Sequence, residues 1–398
     1  MTFRRFLDTP KTHFPTLSFL AEEPTMGPLF VSDTVVPLSS ATFAQCQKFI
    51  RAFRRITDHP LYRQDTQAAI PEGVRLDNAD SALLCFDFYM TPEGPRLIEI
   101  NTNGAGYPTM ALLYAAHGLT PVPASDVWDT LRQMFVAEWG PVIPGQRVVI
   151  VDEDVFAQRT MFEFKSYHAI FQSWGYLCDI VDMKDLYYEG EQLMALGKPV
   201  DNIYNRCCDF YLSMPSNAVL ARAISDPKVQ VSPHPSSYAL MADKGRMVTM
   251  SQTRFLERYG CDTALIALIQ SVIPPVRHIQ DESPETWWQQ RKHCFFKPQN
   301  TYGSKAVYKG SSISRKKFDT LLDQAYVVQP YFQADMVPVT LPSETGSLTA
   351  QPAMFKYDLR FFVYGEAVLM GGARLFQGQV TNFQTLGGGF APVQISNG

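Results

Sequence analysis

A carboxylate inside an apolar strand needs a partner, because burying an unpaired charge is among the most expensive things a fold can do. The sequence nevertheless places Asp87 in LLCFDFYM and Glu99 in PRLIEIN, with only the turn TPEG between the two runs. Aromatic and β-branched runs either side of a Pro/Gly turn predict a β-hairpin. Side chains alternate along a strand, so Glu99 and Asn101 share one face, and Asp87 on the partner strand can join them. Two carboxylates and an amide oxygen form a hard-oxygen set suited to Mg²⁺ bridging nucleotide phosphates. A surface hairpin with exposed acids is the alternative, and the apolar neighbours of both acids argue against it.

The rest of the chain divides into three stretches. Residues 1–40 are rich in Pro and Thr without a period and read as an extended arm. Residues 42–56 carry Phe43, Cys46, Phe49, Ile50 and Phe53 at helical spacing. Gln47, Lys48, Arg51, Arg54 and Arg55 on the other side read as a solvated basic face. After Pro121-Val122-Pro123 and GPVIPG come RVVIVDED, a helix over 158–174 stopped by Gly175, the strand LCDIVD, a second helical stretch and the strand NIYNR. Strand–helix–strand–helix–strand predicts a small three-layer α/β unit over 125–235. Flanking segments 1–124 and 236–398 complete the expected domains, the last containing HCFFKPQ, AYVVQPYF and the long pair KYDLRFFVYGEAVLMGGARLF.

Composition mainly excludes. At 398 residues, two or three domains are expected. With 46% hydrophobic and 19% charged residues, wholesale disorder is excluded. Lys+Arg 35 against Asp+Glu 39 gives a net charge of −4 and no electrostatic reason for a nucleic-acid partner. No apolar run reaches membrane-spanning length and the N-terminus lacks a signal-peptide core, so no membrane partner is expected. Seven scattered cysteines without a CxxC pair suit reduced thiols and a cytoplasmic location.

Several weaker candidates remain. Lys297 ends the FFKPQ strand, and the loop after it carries Gly303 and Ser304, a setting in which backbone N–H groups and a lysine could meet phosphates. An ordinary hairpin turn is the alternative, and the spacing is not that of a P-loop. Lys244 opens a helix after ADKG. Asp358 and Arg360 alternate on one strand, Arg374 follows on the next, and Asn382 precedes Gly387-Gly388-Gly389. Arginine suits bidentate binding of phosphate or carboxylate, although an ion-paired hairpin would look the same. The seven histidines show no HExxH spacing, and no Ser/His/Asp set or activated cysteine is visible.

Taken together, Lys244, FFKPQNTYG, VVQPYF, DLRFFVYGEAVL, Arg374, TNFQTLGGG and the FDFY…IEIN hairpin resemble the ATP-grasp superfamily. The resemblance is to bacterial glutathione synthetases and ribosomal-protein glutamate ligases. Here the metal hairpin comes first and the glycine loop last, so the order looks circularly permuted, as in eukaryotic glutathione synthetases. The resemblance implies an ATP-grasp fold, α/β (α+β) in class, whose two α+β subdomains grip ATP beside a small α/β domain. It implies that Lys244 and Lys297 contact phosphates, with the loop of Gly303 and Ser304, and that Val327, Val328 and Gln329 meet adenine through their backbone. Asp358 and Arg360 would lie at the nucleotide, while Asp87, Glu99 and Asn101 would hold magnesium. Arg374 and Asn382 would face the transferring phosphoryl group, and Gly387, Gly388 and Gly389 would close over it.

The implied activity is an ATP- and Mg²⁺-dependent carboxylate–amine ligase working through an acyl phosphate on small-molecule or peptide acids and amines. Two alternatives stand beside it. One is a catalytically silent ATP-binding scaffold, motivated by Thr301 in place of a further metal-binding glutamate and by a glycine-poor loop carrying Lys305. The other is a phosphotransferase. Oligomeric state is left open, a homodimer included.

Overall fold

The computed structural model describes residues 3–72, 74–76, 83–300, 306–341, 352–383 and 385–396. Its largest sheet draws on both ends of the chain. The order is Gly389–Ala391, Ala367–Phe376, Ala353–Tyr364, Leu84–Thr91, Gly94–Asn101, with Met336–Val339 also on Ala353–Tyr364. Every ladder in it is antiparallel. The expected hairpin therefore forms and docks against the C-terminal strand pair. A parallel pairing of Val36–Ser39 with Val393–Ser396 ties the two ends together a second time.

Register does the work that the sequence could not. Asp87 lies opposite both Glu99 and Arg360, and Asp358 lies opposite Arg374, so all five ionisable groups share one face. Phe86 and Phe88 alternate to the other face, where Phe53 and Phe49 of the helix Ser40–Thr57 meet them at 5.8 and 5.9 Å between ring centroids. Ser39 caps that helix by accepting from Thr42 N. Its basic face is not wholly solvated as expected: Arg54 is buried and donates to Met241 Sδ, with Asp58 beside it. Between Asp87 and Phe88 the register slips, so that Phe88 opposes Leu97 and Ile98 is an extra residue.

A smaller antiparallel sheet, Arg277–His278, Tyr326–Pro330, Cys294–Pro298 and Tyr308–Lys309, has its own core of Trp287, Phe296, Phe318 and Leu321. A third sheet is fully parallel, in the order Gln230–Ser232, Asn202–Asn205, Arg147–Asp152, Leu177–Asp182. Every residue of Arg147–Asp152 is buried, as the apolar run requires. The helix Met161–Ser173 connects Arg147–Asp152 to Leu177–Asp182, and Gly175 leaves the helix at φ +103°.

Two expectations are corrected. The second helical stretch is a meander of Leu186–Glu189, Gln192–Ala195 and Lys198–Pro199, turned by Gly190 and Gly197 at positive φ. Leu193 and Ala195 face inward and their neighbours outward, a period of two rather than of a helix. The first residues are not extended either. Phe3–His13 is a helix that buries Phe6, Thr9 and Pro10, and Pro15–Ala21 is a short 3₁₀ turn burying Leu17 and Leu20.

Candidate functional site

The sheet face that carries the ion pairs looks toward the small sheet, and between them lies a cleft of about 1150 Å³, part of it open to solvent. Its lining is part apolar, with Phe295, Val307, Pro330 and Phe332 beside Leu97 and Ile98, and part charged, with Glu99, Lys244, Lys297 and Arg374, and includes the segment Val380–Phe383. Arg96, also in the lining, lies over the Phe332 ring at 5.6 Å. Such a lining suits a ligand with both a flat, weakly polar part and an anionic part.

Glu99 is the carboxylate that reaches the cleft. Burial favours its neutral form, but Lys244, Lys297 and Arg374 outweigh that and hold it below the usual carboxylate range. Lys244 Nζ stands 3.9 Å from it. Asn101 donates its Nδ2 to Glu99 Oε1 at 3.3 Å and to Asp87 Oδ2 at 3.0 Å, which leaves the amide oxygen as an acceptor. Glu99 on the cleft thus fits a divalent cation, since magnesium commonly takes one or two protein ligands and completes its shell with phosphate and water; Asn101 stands beside it but is not in the cleft lining.

Asp87 is fully buried and does not line the cleft. Arg360 grips it bidentately, Nε to Oδ1 at 2.8 Å and Nη2 to Oδ2 at 2.7 Å, and Arg374 Nη2 adds a third bond at 2.9 Å. In this structure Asp87 anchors a buried ion network and stands back from the cleft. Asp358 and Arg360 are likewise buried and do not line the cleft. Asp358 accepts from Arg374 Nε at 2.7 Å and from Thr381 Oγ1. Burial pushes the Asp358 carboxyl up, with Arg374 opposing. The network Arg360–Asp87–Arg374–Asp358–Thr381 therefore aims one cation, Arg374, into the cleft.

Lys297 Nζ donates to Ile98 O at 3.1 Å, and Gln329 Nε2 to Leu97 O at 2.9 Å. Burial pushes the Lys297 ammonium down to about 8 against the pull of Glu99, and Lys244 adds to the push. Of the expected adenine contacts, Gln329 borders the cleft while Val327 and Val328 do not. Those two lie inside the sheet, paired to Lys297 and Phe296 on one side and to His278 and Arg277 on the other, so their backbone has no free edge. Gly303 and Ser304, with Thr301 and Lys305, lie outside the described residues.

The glycine run is closely packed here. A Cβ on Gly388 would lie 2.7 Å from Leu375 O, and one on Gly389, at φ +108°, 2.5 Å from the Phe30 backbone. Gly387 O accepts from Ser32 Oγ at 2.7 Å, and none of the three lines the cleft. Asn382 does line it, with Nδ2 donating to Gln377 O and Val380 O and so shaping its own loop. Sequence reasoning missed Thr381, Phe295, Phe332 and Arg96. For Thr381 the signal was its place in TNFQTLGGG; for Phe295 it was its position two residues before Lys297, on the same face of one strand.

Beyond the hairpin, the chain fastens to the parallel sheet. Arg206 Nη2 donates to Asn103 O at 3.0 Å and Asn103 Nδ2 to Cys207 O at 2.7 Å. Arg206 lies just past the C-terminal end of Asn202–Asn205, next to Arg147–Asp152, the strand from which the chain departs in both directions. Crevices at such switch points commonly hold ligands. Arg206 Nε and Glu163 Oε2 are buried there without a hydrogen-bond partner.

No family model matches the sequence, and no curated protein does either. Among solved structures, a glutathione synthetase-like effector (GSS30) from Globodera pallida superposes with a TM-score of 0.56 at 12% identity, covering 100% of this chain and 98% of that one. A candidate gamma-glutamylcysteine synthetase from Methylobacillus flagellatus KT gives 0.48 at 11% identity, covering 87% of this chain and 86% of that one. The first shows a shared mixed α/β fold, in line with the expected fold class. No helix among the described residues is long and apolar enough to cross a membrane.

Proposed function

We propose that the protein is an ATP- and Mg²⁺-dependent carboxylate–amine ligase of ATP-grasp type in permuted order. The observation that carries the reading is a single cleft that sets Glu99 among Lys244, Lys297 and Arg374 with apolar side chains in the same lining. The base would lie against the apolar residues and the phosphates against the charged ones. Glu99 and Asn101 would hold magnesium, which when bound supplies charge neutralisation at the phosphates.

A carboxylate is a poor electrophile, and transfer of the γ-phosphoryl group to it gives an acyl phosphate that an amine can attack. ADP leaves in the first step and inorganic phosphate in the second. Arg374, held at two of its nitrogens by Asp358 and Asp87, is preorganised to meet charge on the transferring group. Lys297 would exchange Ile98 O for phosphate. The acid substrate would enter from the side of Arg206, whose guanidinium is matched to a carboxylate.

The test is ADP release with Mg-ATP, assayed with acids and amines separately and together. Release that requires both supports the ligase; ATP binding without release under any combination favours a silent scaffold of the same fold. Replacing Arg374 by Met should remove turnover while leaving nucleotide binding within about tenfold, since the group acts mainly on charge that develops in the transition state.

A further inference from the structure

We infer that Tyr211 is a positioning residue for Lys244, setting that lysine in the cleft through Asp243. It rests on the ligase reading above, in which Lys244 meets phosphate, and adds to it two residues that do not line the cleft. Asp243 Oδ1 accepts from Gly245 N at 2.8 Å, so the carboxylate closes a ring around the Lys244 backbone where the helix Gly245–Met250 begins. Asp243 is almost fully buried, and each of its polar atoms is engaged. Its N donates to Tyr238 O at 2.9 Å and its O accepts from Arg246 N at 2.9 Å. Its Oδ2 accepts from the Tyr211 hydroxyl at 2.6 Å. The first three bonds lie within 238–246, whereas the hydroxyl comes from a distant stretch of chain and fixes how the carboxylate is turned.

The surroundings hold that hydroxyl in place. Phe210 stacks on the Tyr238 ring at 4.1 Å and 12°, and Tyr211 meets the same ring edge-on at 5.2 Å and 83°. Tyr238 opens a π-helix, Tyr238–Ala242, that runs directly into Asp243. Such single wide turns are rare and gather at functional sites. Burial, with Asp243 beside it, pushes the Tyr211 phenol up, so that it stays a donor. The stretch that carries Tyr211 starts from Arg206, which reaches Asn103 O just past the Glu99 hairpin. One loop thus braces both partners of the Lys244–Glu99 contact, whose charged atoms stand 3.9 Å apart.

An ammonium on a flexible four-carbon stem meets phosphate well only where its backbone is fixed. Without the hydroxyl, Oδ2 is left buried and unsatisfied. The carboxylate is then drawn away from Gly245 N, and the ring around Lys244 loosens.

The experiment measures binding of Mg-ATP and of adenosine to the intact protein, to Tyr211→Phe, to Lys244→Met and to the double variant. Tyr211→Phe keeps the ring and its stacking and removes only the hydroxyl. It should weaken Mg-ATP by about tenfold, the worth of one charge-assisted hydrogen bond, and leave adenosine, which has no phosphate, within about twofold. In the Lys244→Met background the same change should have little further effect on Mg-ATP, because it acts through the lysine. A hydroxyl that serves stability alone would weaken both ligands alike, or add in full to Lys244→Met. Either result, or unchanged Mg-ATP affinity in Tyr211→Phe, would overturn the inference and leave the ligase reading standing. Failure of Mg-ATP to bind the wild type would overturn both.

Discussion

Replacing Asp87 by Asn tests whether this residue is the anchor of an ion network or a ligand for metal. The carboxylate is fully buried and accepts three guanidinium bonds, at 2.8, 2.7 and 2.9 Å, from Arg360 and Arg374. The amide keeps the shape but removes the charge, leaving two buried cations with Asp358 as the remaining carboxylate of the network. Breaking one side of a buried ion pair costs about 3–5 kcal/mol, because the other charge stays buried and uncompensated. The bonds lie in the six-stranded sheet that joins the two ends of the chain, so the loss should appear in the main unfolding transition. Urea denaturation in chelator, without nucleotide, should show that loss as a lower midpoint at unchanged slope. The same loss should appear with magnesium added. A companion variant, Asp87→Leu with Arg360→Met, should recover part of it by removing one buried charge of each sign. A change below about 1 kcal/mol for Asp87→Asn, or one that appears only with magnesium and nucleotide present, would refute the anchor role.

Glu99→Gln should lower magnesium-dependent turnover by about 100-fold or more, as loss of a charge at the reacting phosphates requires, and should also lower metal-free stability, because Lys244, Lys297 and Arg374 lose the carboxylate among them. Lys297 is held near 8 in the fold by burial, against about 10.4 in an unfolded chain. Between those values the unfolded state binds the extra proton, so metal-free stability should rise as pH climbs through that window. Lys297→Met, followed by denaturation at several pH values, should lack that rise. Gly389→Ala should destabilise by about 2 kcal/mol or more, because φ +108° and a 2.5 Å approach to the Phe30 backbone both oppose a Cβ. Nucleotide affinity of the folded fraction should be unchanged, since the residue does not line the cleft.

How much of this was legible in the sequence depends on the distance over which each feature is decided. The hairpin was legible because alternation and a turn are local, and Glu99 shares a sheet face with Asp87 as the alternation implied. Asp87 was read as equivalent to Glu99, because its apolar setting looked the same. Its partner Arg360 lies 273 residues along the chain, and only strand register brings them face to face. The burial of Asp358 and Arg360 was not legible for the same reason: alternation fixes a shared face but not whether that face is covered. The glycine run read as a mobile cover because glycine permits close backbone approach as readily as motion, and here Leu375 and Phe30 use the first property. The meander of 186–199 escaped because four-residue strands are too short for a period to show. The helix Phe3–His13 escaped because one buried turn around Phe6, Thr9 and Pro10 leaves little pattern among prolines and threonines.

The central claim is that a carboxylate attacks the γ-phosphorus of ATP in this cleft and an amine then displaces phosphate. Isotope transfer reads both events at once. An acid that supports ADP release, labelled with heavy oxygen in its carboxylate, should be turned over with amine and Mg-ATP, and the inorganic phosphate collected for mass analysis. The account predicts one labelled oxygen in each phosphate released. Phosphate carrying no label, with amide formed or ADP released all the same, would contradict it.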